Sequence, residues 1–267
     1  MPSEHSATLT FDELDGLAFA GQKGRFEPAK HRFRSGPIGP IFELRLLAKA
    51  GVLPWPSNDS WLVLDGAAPM VEALGNRNRH VWVCPESKAL GAFRTFQTVQ
   101  DEGIAWTQFG FAAQQAATNI AGLPSTIAKQ LVGALGEMQD NIYEHSQAPA
   151  TGIIAFSANP GSFEFTVSDC GIGTLASLKS SPEYSMLADH GQALKLALTP
   201  GVSRFGPGRG TGFQQLFVGL ANLNATLRFR SGDHAVTVAG RKPGGIPFDL
   251  SQKPPLKGFF ASVLCQP

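Results

Sequence analysis

The chain has few cysteines and almost no tyrosine, and it lacks any long apolar run. Its three cysteines stand far apart, without a Cys-x-x-Cys pair, at Cys84, Cys170 and Cys265. A sparse and odd set of this kind argues against a disulfide framework or a zinc site and favours a reducing compartment. No stretch of about 18 apolar residues occurs, and the first residues lack the basic segment and apolar run of a secretion signal. We therefore expect a cytoplasmic protein without a transmembrane helix.

Charge of either sign is also scarce. Only 16% of the 267 residues are Asp, Glu, Lys or Arg, and the formal net charge is +1. This balance gives no electrostatic argument for binding to nucleic acid or to an anionic membrane. The length suits one large domain or two small ones and is sufficient to bury a core.

The first part of the sequence alternates strand and helix patterns. Residues 1–40 are predicted to be a loosely structured N-terminal tail, which ends in a segment rich in glycine and proline. Residues 41–108 then give a helix, a strand (61–65), a helix and a second strand (80–85), followed by a predicted helix over 86–103. This order predicts a small α/β unit, in which no motif indicates a function.

The second part, residues 109–267, is predicted to be an α+β domain. A long helix begins near Pro124, and two alternating stretches joined by Asn-Pro-Gly at 159–161 form a hairpin. A long irregular section, about Leu175–Phe205, precedes a glycine cluster and a further helix. A mostly antiparallel sheet with helices on one face is completed by three strands, at 225–230, 234–240 and 258–265.

The first candidate motif lies on the long helix. Glu137, Asn141 and His145 are four residues apart and so lie along one face, while apolar residues at three- or four-residue spacing form the face that packs on the sheet. An Asn oxygen is a hard ligand suited to Mg²⁺, and a Glu one turn away can orient or deprotonate an attacking oxygen. A solvated polar stripe on an amphipathic helix explains the same spacing.

The second candidate motif follows a predicted strand and consists of Asp169, Gly171 and Gly173. A carboxylate at the strand end can accept a hydrogen bond from an exocyclic amine such as that of adenine. The two glycines let the backbone approach a flat ligand closely. A tight turn that only requires glycine is the alternative explanation.

The third candidate motif is a run of alternating glycines that leads into a predicted helix, at residues 206–216. Free N–H groups and the positive end of the helix make such a run suited to phosphates. It contains neither GxGxxG nor GxxxxGK[ST], so it does not indicate a Rossmann or Walker site. A flexible linker is the alternative explanation.

In their order, the three motifs resemble the N box, G1 box and G2 box of the GHKL superfamily, which includes gyrase, heat-shock chaperones, histidine kinases and MutL. The resemblance covers about residues 110–267. It includes a lid segment between the last two motifs, which we expect to be mobile without nucleotide, and it extends to the last strand. It implies a two-layer α/β sandwich that binds Mg²⁺-ATP.

The resemblance also implies roles for the residues of the first two motifs. Asn141 would coordinate Mg²⁺, and Glu137 would be the general base or the carboxylate that orients water. Asp169 would accept a hydrogen bond from the adenine amine. Gly171 and Gly173 would shape the adenine pocket.

The remaining roles implied by the resemblance concern phosphate binding and one histidine. The phosphates would be bound by Gly208, Arg209, Gly210, Thr211 and Gly212. Arg209 is equally explained as an exposed loop residue. His145 matches a histidine of the anti-sigma-factor serine kinases and is equally explained as a structural residue at a helix end.

Within the superfamily, the spacing of Glu137, Asn141 and His145 is most similar to the anti-sigma-factor serine kinases. Two-component histidine kinases have an acceptor His followed by Glu or Asp, whereas the six histidines here are followed by Ser, Arg, Val, Ser, Gly and Ala. The other groups add a domain after the nucleotide domain, which we do not expect here. We expect a protein kinase or ATPase that acts with a partner protein, or a nucleotide-gated binding module without catalysis. The sequence leaves the partner, the substrate and the oligomeric state open.

Overall fold

The computed structural model describes residues 6–57, 61–199, 224–239 and 248–266. Among these residues, no helix is long and apolar enough to cross a lipid bilayer. In chain order the elements are β1 (Ala7–Thr8), α1 (Phe11–Gln22), β2 (Phe33–Arg34), α2 (Ile38–Lys49), β3 (Leu62–Val63), α3 (Ala68–Gly75), β4 (Val81–Val83), β5 (Leu90–Arg94), α4 (Ala105–Asn119), α5 (Ser125–His145), β6 (Ile153–Asn159), β7 (Ser162–Asp169), α6 (Gly173–Lys179), α7 (His190–Ala197), β8 (Asn224–Ala239) and β9 (Phe248–Gln266).

The strands of the described residues form two sheets. Strands β1, β2 and β3 form a small parallel sheet, and the other six form an antiparallel sheet in the order β4-β5-β6-β7-β9-β8. The α+β class predicted from the sequence is confirmed. Strands β4 and β5 belong to the large sheet, although the sequence assigns residues 41–108 to a separate small unit. The domain boundaries themselves stay a prediction.

The helix predicted over residues 86–103 is wrong. Residues Leu90–Arg94 form β5, which pairs with β4 on one side and with β6 on the other. Gly91 lies opposite Phe156, and a Cβ on Gly91 would lie 2.3 Å from the Phe156 ring. The segment is a strand because pairing in the sheet overrides a weak local preference for helix.

Helices cover both faces of the large sheet. On one face, α4, α5 and α7 pack against apolar side chains of the central strands, such as Phe156 and Val263. On the other face, α2 and α3 pack against alternate residues of the same strands, such as Ile153 and Ala155 on β6. The C-terminal elements therefore form two layers, and the N-terminal helices add a third.

The loose tail predicted for residues 1–40 is wrong over much of its length. Helix α1 begins after Thr10, whose Oγ1 accepts a hydrogen bond from the backbone N–H of Glu13 at 3.2 Å. Its side chains Leu14 and Leu17 are buried in a core with the small parallel sheet and α2. Their spacing is a helical signal, which Gly16 weakens because glycine disfavours helix.

Charged side chains are buried between the N-terminal helices and the large sheet. Arg228 Nε donates to Glu43 Oε2 at 2.7 Å, and Arg230 Nη1 donates to Glu43 Oε1. Arg228 also donates to Asp15 Oδ1 at 2.6 Å, and Lys253 Nζ lies 2.6 Å from Asp15 Oδ2. Glu43 and Arg230 are each 0% exposed. A fragment without α1 and α2 would leave the two arginines without these carboxylates, so experiments require the full-length chain.

Glu164 on β7 caps the N-terminus of α2 in the same interface. Its carboxylate accepts hydrogen bonds from the backbone N–H groups of Ile38 at 2.5 Å and Gly39 at 2.7 Å, and from Ser262 Oγ at 3.2 Å. Burial raises the pKa of Glu164 to about 7, although these three donors lower it. A raised carboxyl pKa means that the folded state binds the proton more tightly than the unfolded state. Stability is therefore lost as Glu164 ionises between its ordinary pKa of 4.5 and about 7.

Two expectations about the C-terminal part are also corrected. The section predicted to be irregular contains most of α6 and all of α7, and Asp189 Oδ1 caps α7 by accepting a hydrogen bond from Gln192 N at 2.6 Å. The predicted strands 225–230 and 234–240 are one strand, β8, which pairs with β9 and shifts register around Gly232. Pairing with the long β9 continues the strand through the Ser-Gly-Asp sequence as a bulge.

Candidate functional site

Helix α5 presents the first motif along one side. Glu137 is exposed, whereas Asn141 and His145 are half-buried. Leu135 and Met138 lie on the side of α5 that is buried in the core of the large sheet. The polar stripe therefore leads from solvent at Glu137 towards the interior at His145.

The C-terminal end of α5 contacts the loop of the second motif. His145 Nδ1 lies 3.3 Å from Ser177 Oγ on α6, and the Ser146 carbonyl accepts a hydrogen bond from Ile172 N at 2.9 Å. A Cβ on Gly171 would lie 2.1 Å from the Ser146 carbonyl oxygen. Only glycine lets the loop approach α5 this closely, so the structure brings the His145 end of the first motif against the second motif.

Asp169 lies at the end of β7 and is 4% exposed. Its Oδ1 accepts a hydrogen bond from Gly171 N at 2.7 Å. Burial raises the pKa of Asp169 to about 6, although the backbone N–H groups of Gly171 and Phe259 lower it. Near neutral pH the side chain is therefore mainly a carboxylate, which accepts hydrogen bonds and cannot donate them.

The opposite flank of α5 is fixed by a buried carboxylate. Gln139 Nε2 donates to Glu102 Oε1 at 2.6 Å and to Oε2 at 2.7 Å, and the Tyr143 hydroxyl donates to Glu102 Oε1. The Tyr143 oxygen also accepts a hydrogen bond from Phe96 N at 3.0 Å. These contacts fix the rotation of α5 and hence the direction of the Glu137–His145 stripe. The sequence gives no signal for them, because Gln139 and Glu102 are 37 positions apart.

Carboxylates crowd the middle of α5. Burial raises the pKa of Asp140, and the neighbouring charges of Glu137, Glu144 and Glu102 raise it further. This negative potential next to Asn141 favours a divalent cation and disfavours a triphosphate without one. Among the described residues, no group of three or more His, Cys, Asp or Glu side chains could hold a metal ion. An Mg²⁺ at Asn141 would therefore need phosphate oxygens and water as its other ligands.

The third motif lies outside the described residues, which stop at 199 and resume at 224. Its predicted phosphate-binding residues are Gly208, Arg209, Gly210, Thr211 and Gly212. The part of the site that the structure describes therefore consists of the α5 stripe and the Asp169–Gly173 loop.

Strand β9 forms a wall of the site that the motifs do not include. Phe259 pairs with Asp169, and its N–H donates to the Asp169 carboxylate. Gly258 has a φ of +87°, and a Cβ there would lie 2.1 Å from the Asp169 carbonyl oxygen. A glycine within a strand pattern indicates a bulge or a close backbone approach, so Gly258 was the available signal.

Comparison with known proteins gives no family model that matches the chain and no curated protein sequence that matches it. We therefore infer the function from the geometry of the site and from the order of the motifs.

Proposed function

We propose that this chain binds Mg²⁺-ATP at helix α5 and the Asp169–Gly173 loop, with residues 208–212, which lie outside the described residues, as its phosphate-binding segment. One observation carries the proposal. The Asp169 carboxylate is buried at a strand end, and Gly171 and Gly173 in the loop after it carry no side chains. A buried carboxylate can accept a hydrogen bond from the amine of a flat base, and backbone without side chains can lie close to the ring. The GHKL resemblance of the three motifs supports the same ligand.

The residues of α5 suit the phosphate end of the nucleotide. The Asn141 amide oxygen would hold Mg²⁺, which supplies charge neutralisation of the phosphate oxygens when bound. Glu137 would orient or deprotonate the attacking oxygen. Because Glu137 is exposed, a hydroxyl group of a protein substrate can reach it as readily as water can. The reaction that we propose is phosphoryl transfer to a partner's serine or threonine, or ATP hydrolysis.

A second candidate function is a nucleotide-gated binding module without catalysis. Helix α2 of the N-terminal part contacts the Asp169–Gly173 loop, since Lys49 Nζ donates to Cys170 Sγ at 3.4 Å. Cys170 follows Asp169 directly, so a nucleotide that shifts the loop would change this contact with α2. This contact favours a chain whose N-terminal surface responds to nucleotide.

Replacement of Asp169 by asparagine is expected to weaken ATP binding about tenfold to a hundredfold. The amide can direct its NH₂ group at the adenine amine, and loss of a charge-assisted hydrogen bond costs roughly 1.5–3 kcal/mol. Titration calorimetry of the full-length chain with ATP and Mg²⁺ measures the change. Because the Asp169 pKa is about 6, the difference between parent and variant should shrink as the pH falls below 6.

The Asp65→Asn variant is the control for this titration. Asp65 forms an exposed ion pair with Arg34 on the small parallel sheet, so its loss should leave ATP affinity unchanged. Equal affinity of the parent for ATP and GTP, or an Asp169→Asn variant that binds ATP as tightly as the parent, would contradict the role of Asp169.

A further inference from the structure

Strands β8 and β9 change register next to the Asp169–Gly173 loop. Ser231 pairs with Phe259, whereas the next residue, Gly232, pairs with Leu256. Lys257 and Gly258 therefore form a bulge in β9. The positive φ of Gly258 lets this bulge approach the backbone of Asp169.

The Ser231 hydroxyl joins this bulge to the start of α6. Ser231 Oγ donates to the Gly258 carbonyl at 2.9 Å and accepts a hydrogen bond from Thr174 N at 2.9 Å. The residue before α6, Ile172, provides no side-chain cap, so Ser231 supplies an acceptor at the N-terminus of this helix. Ser231 is 1% exposed, and water cannot readily replace either hydrogen bond.

Ser231 also lies in the same row of paired residues across the sheet as Asp169. Ser231 pairs with Phe259 across β8 and β9, and Phe259 pairs with Asp169 across β9 and β7. A Cβ on Gly173 would lie 2.8 Å from Ser231 Oγ, so the end of the Asp169–Gly173 loop packs directly on this hydroxyl. Ser231 therefore holds the end of the loop against the segment of β9 that donates to the Asp169 carboxylate.

We propose that Ser231 is a positioning residue that sets the preference of the site for adenine. It does not touch the nucleotide. It holds the Gly258–Phe259 backbone and the Thr174 end of the loop in register, so that the Asp169 carboxylate meets the exocyclic amine of the base. A base with an oxo group in place of the amine, such as hypoxanthine, cannot donate a hydrogen bond to the carboxylate. This alignment therefore does not raise its affinity. This inference rests on the proposed function.

The test compares ATP with inosine triphosphate, which has an oxo group in place of the adenine amine. For the full-length Ser231→Ala variant with Mg²⁺, the affinity for ATP should fall about tenfold, because two neutral hydrogen bonds that align the acceptor are lost. The affinity for inosine triphosphate should hardly change, so the preference for ATP falls by about the same factor. Ser231→Thr keeps the hydroxyl and should keep the preference.

Ser262→Ala is the matched control, since it removes an equally buried hydroxyl from β9 on the face that contacts Glu164. This variant should keep the parent's preference. If Ser231→Ala does not fold, Ser231→Cys replaces the hydroxyl with a weaker hydrogen-bonding group and should lower the same ratio.

The outcomes separate the inference from the proposed function. A parent that binds neither nucleotide overturns both. A parent that prefers ATP, together with folded Ser231 variants that keep this preference, overturns the role of Ser231 alone. Equal losses of both affinities in Ser231→Ala and Ser262→Ala would mean a general structural effect and would also overturn it.

Discussion

Replacing Glu137 with alanine is expected to leave the affinity for Mg²⁺-ATP nearly unchanged and to lower turnover by about 10²- to 10⁴-fold. A factor of this size is typical when a general base is removed. Asn141→Ala is expected to lower both affinity and turnover, because Mg²⁺ contacts the phosphates before and during transfer. The measurement is phosphate release by the full-length chain, alone and with proteins that co-purify with it.

Glu72→Ala is the control for Glu137→Ala. It removes an exposed carboxylate from a different helix, α3, and should leave turnover unchanged. The chain should not label itself with γ-phosphate, since none of its histidines is followed by Glu or Asp. Stable self-phosphorylation would contradict the expectation that the chain is not an autonomous kinase. A parent that binds ATP and never turns it over would contradict the role of Glu137 and favour the nucleotide-gated module.

Replacing Glu43 with glutamine is expected to lower the free energy of unfolding by about 3–5 kcal/mol. Glu43 is fully buried between Arg228 and Arg230, and its loss leaves two buried guanidinium groups without this carboxylate. Urea denaturation of parent and variant measures the difference. Asp65→Asn is the control, since it breaks the exposed pair with Arg34 and should cost only a small fraction of that amount.

The contribution of Glu43 should also depend on pH. Burial alone would raise its pKa, but the charges of Arg228 and Arg230 lower it to about 2 from an ordinary value of 4.5. A lowered carboxyl pKa means that this stability is present above pH 4.5 and is lost as the pH falls towards 2. The difference between parent and Glu43→Gln should shrink over that range. A difference that is small at pH 7 would show that the buried ion pairs do not hold α2 on the sheet.

The sequence predicted the elements whose signals are local. Pro124 immediately precedes α5, and the hairpin of β6 and β7 turns at Gly161 as the Asn-Pro-Gly sequence indicates. It did not predict β5, because that strand depends on pairing with β6. The alternating polar residues of β7, among them Glu164, suggest a solvated sheet face. That face is buried because α1 and α2 supply its hydrogen-bonding and charged partners from far along the chain.

The sequence predicted the residues of the candidate site, and for the first two motifs the structure shows which of them lie against one another. The glycine pattern predicted either a close approach to a flat ligand or a tight turn, and the structure shows that at Gly171 the backbone approaches the Ser146 carbonyl. The contributions of Phe259 and Ser231 could not be predicted, since a backbone N–H has no sequence signature and the register of β8 and β9 depends on a bulge. The Glu102 contacts that orient α5 could not be predicted either, because Glu102 and its partners on α5 are far apart in the sequence and meet only in the folded chain.

Hydrogen exchange of the full-length chain, with and without a non-hydrolysable ATP analogue and Mg²⁺, tests the proposed site most directly. We expect nucleotide to slow exchange at the end of β7, in the Asp169–Gly173 loop and at the C-terminal turns of α5, and also in the lid segment, about Leu175–Phe205. The small parallel sheet should be unaffected. Unchanged exchange at the Asp169–Gly173 loop with millimolar analogue present, or protection confined to the N-terminal part, would contradict a nucleotide site built on Asp169 and Asn141.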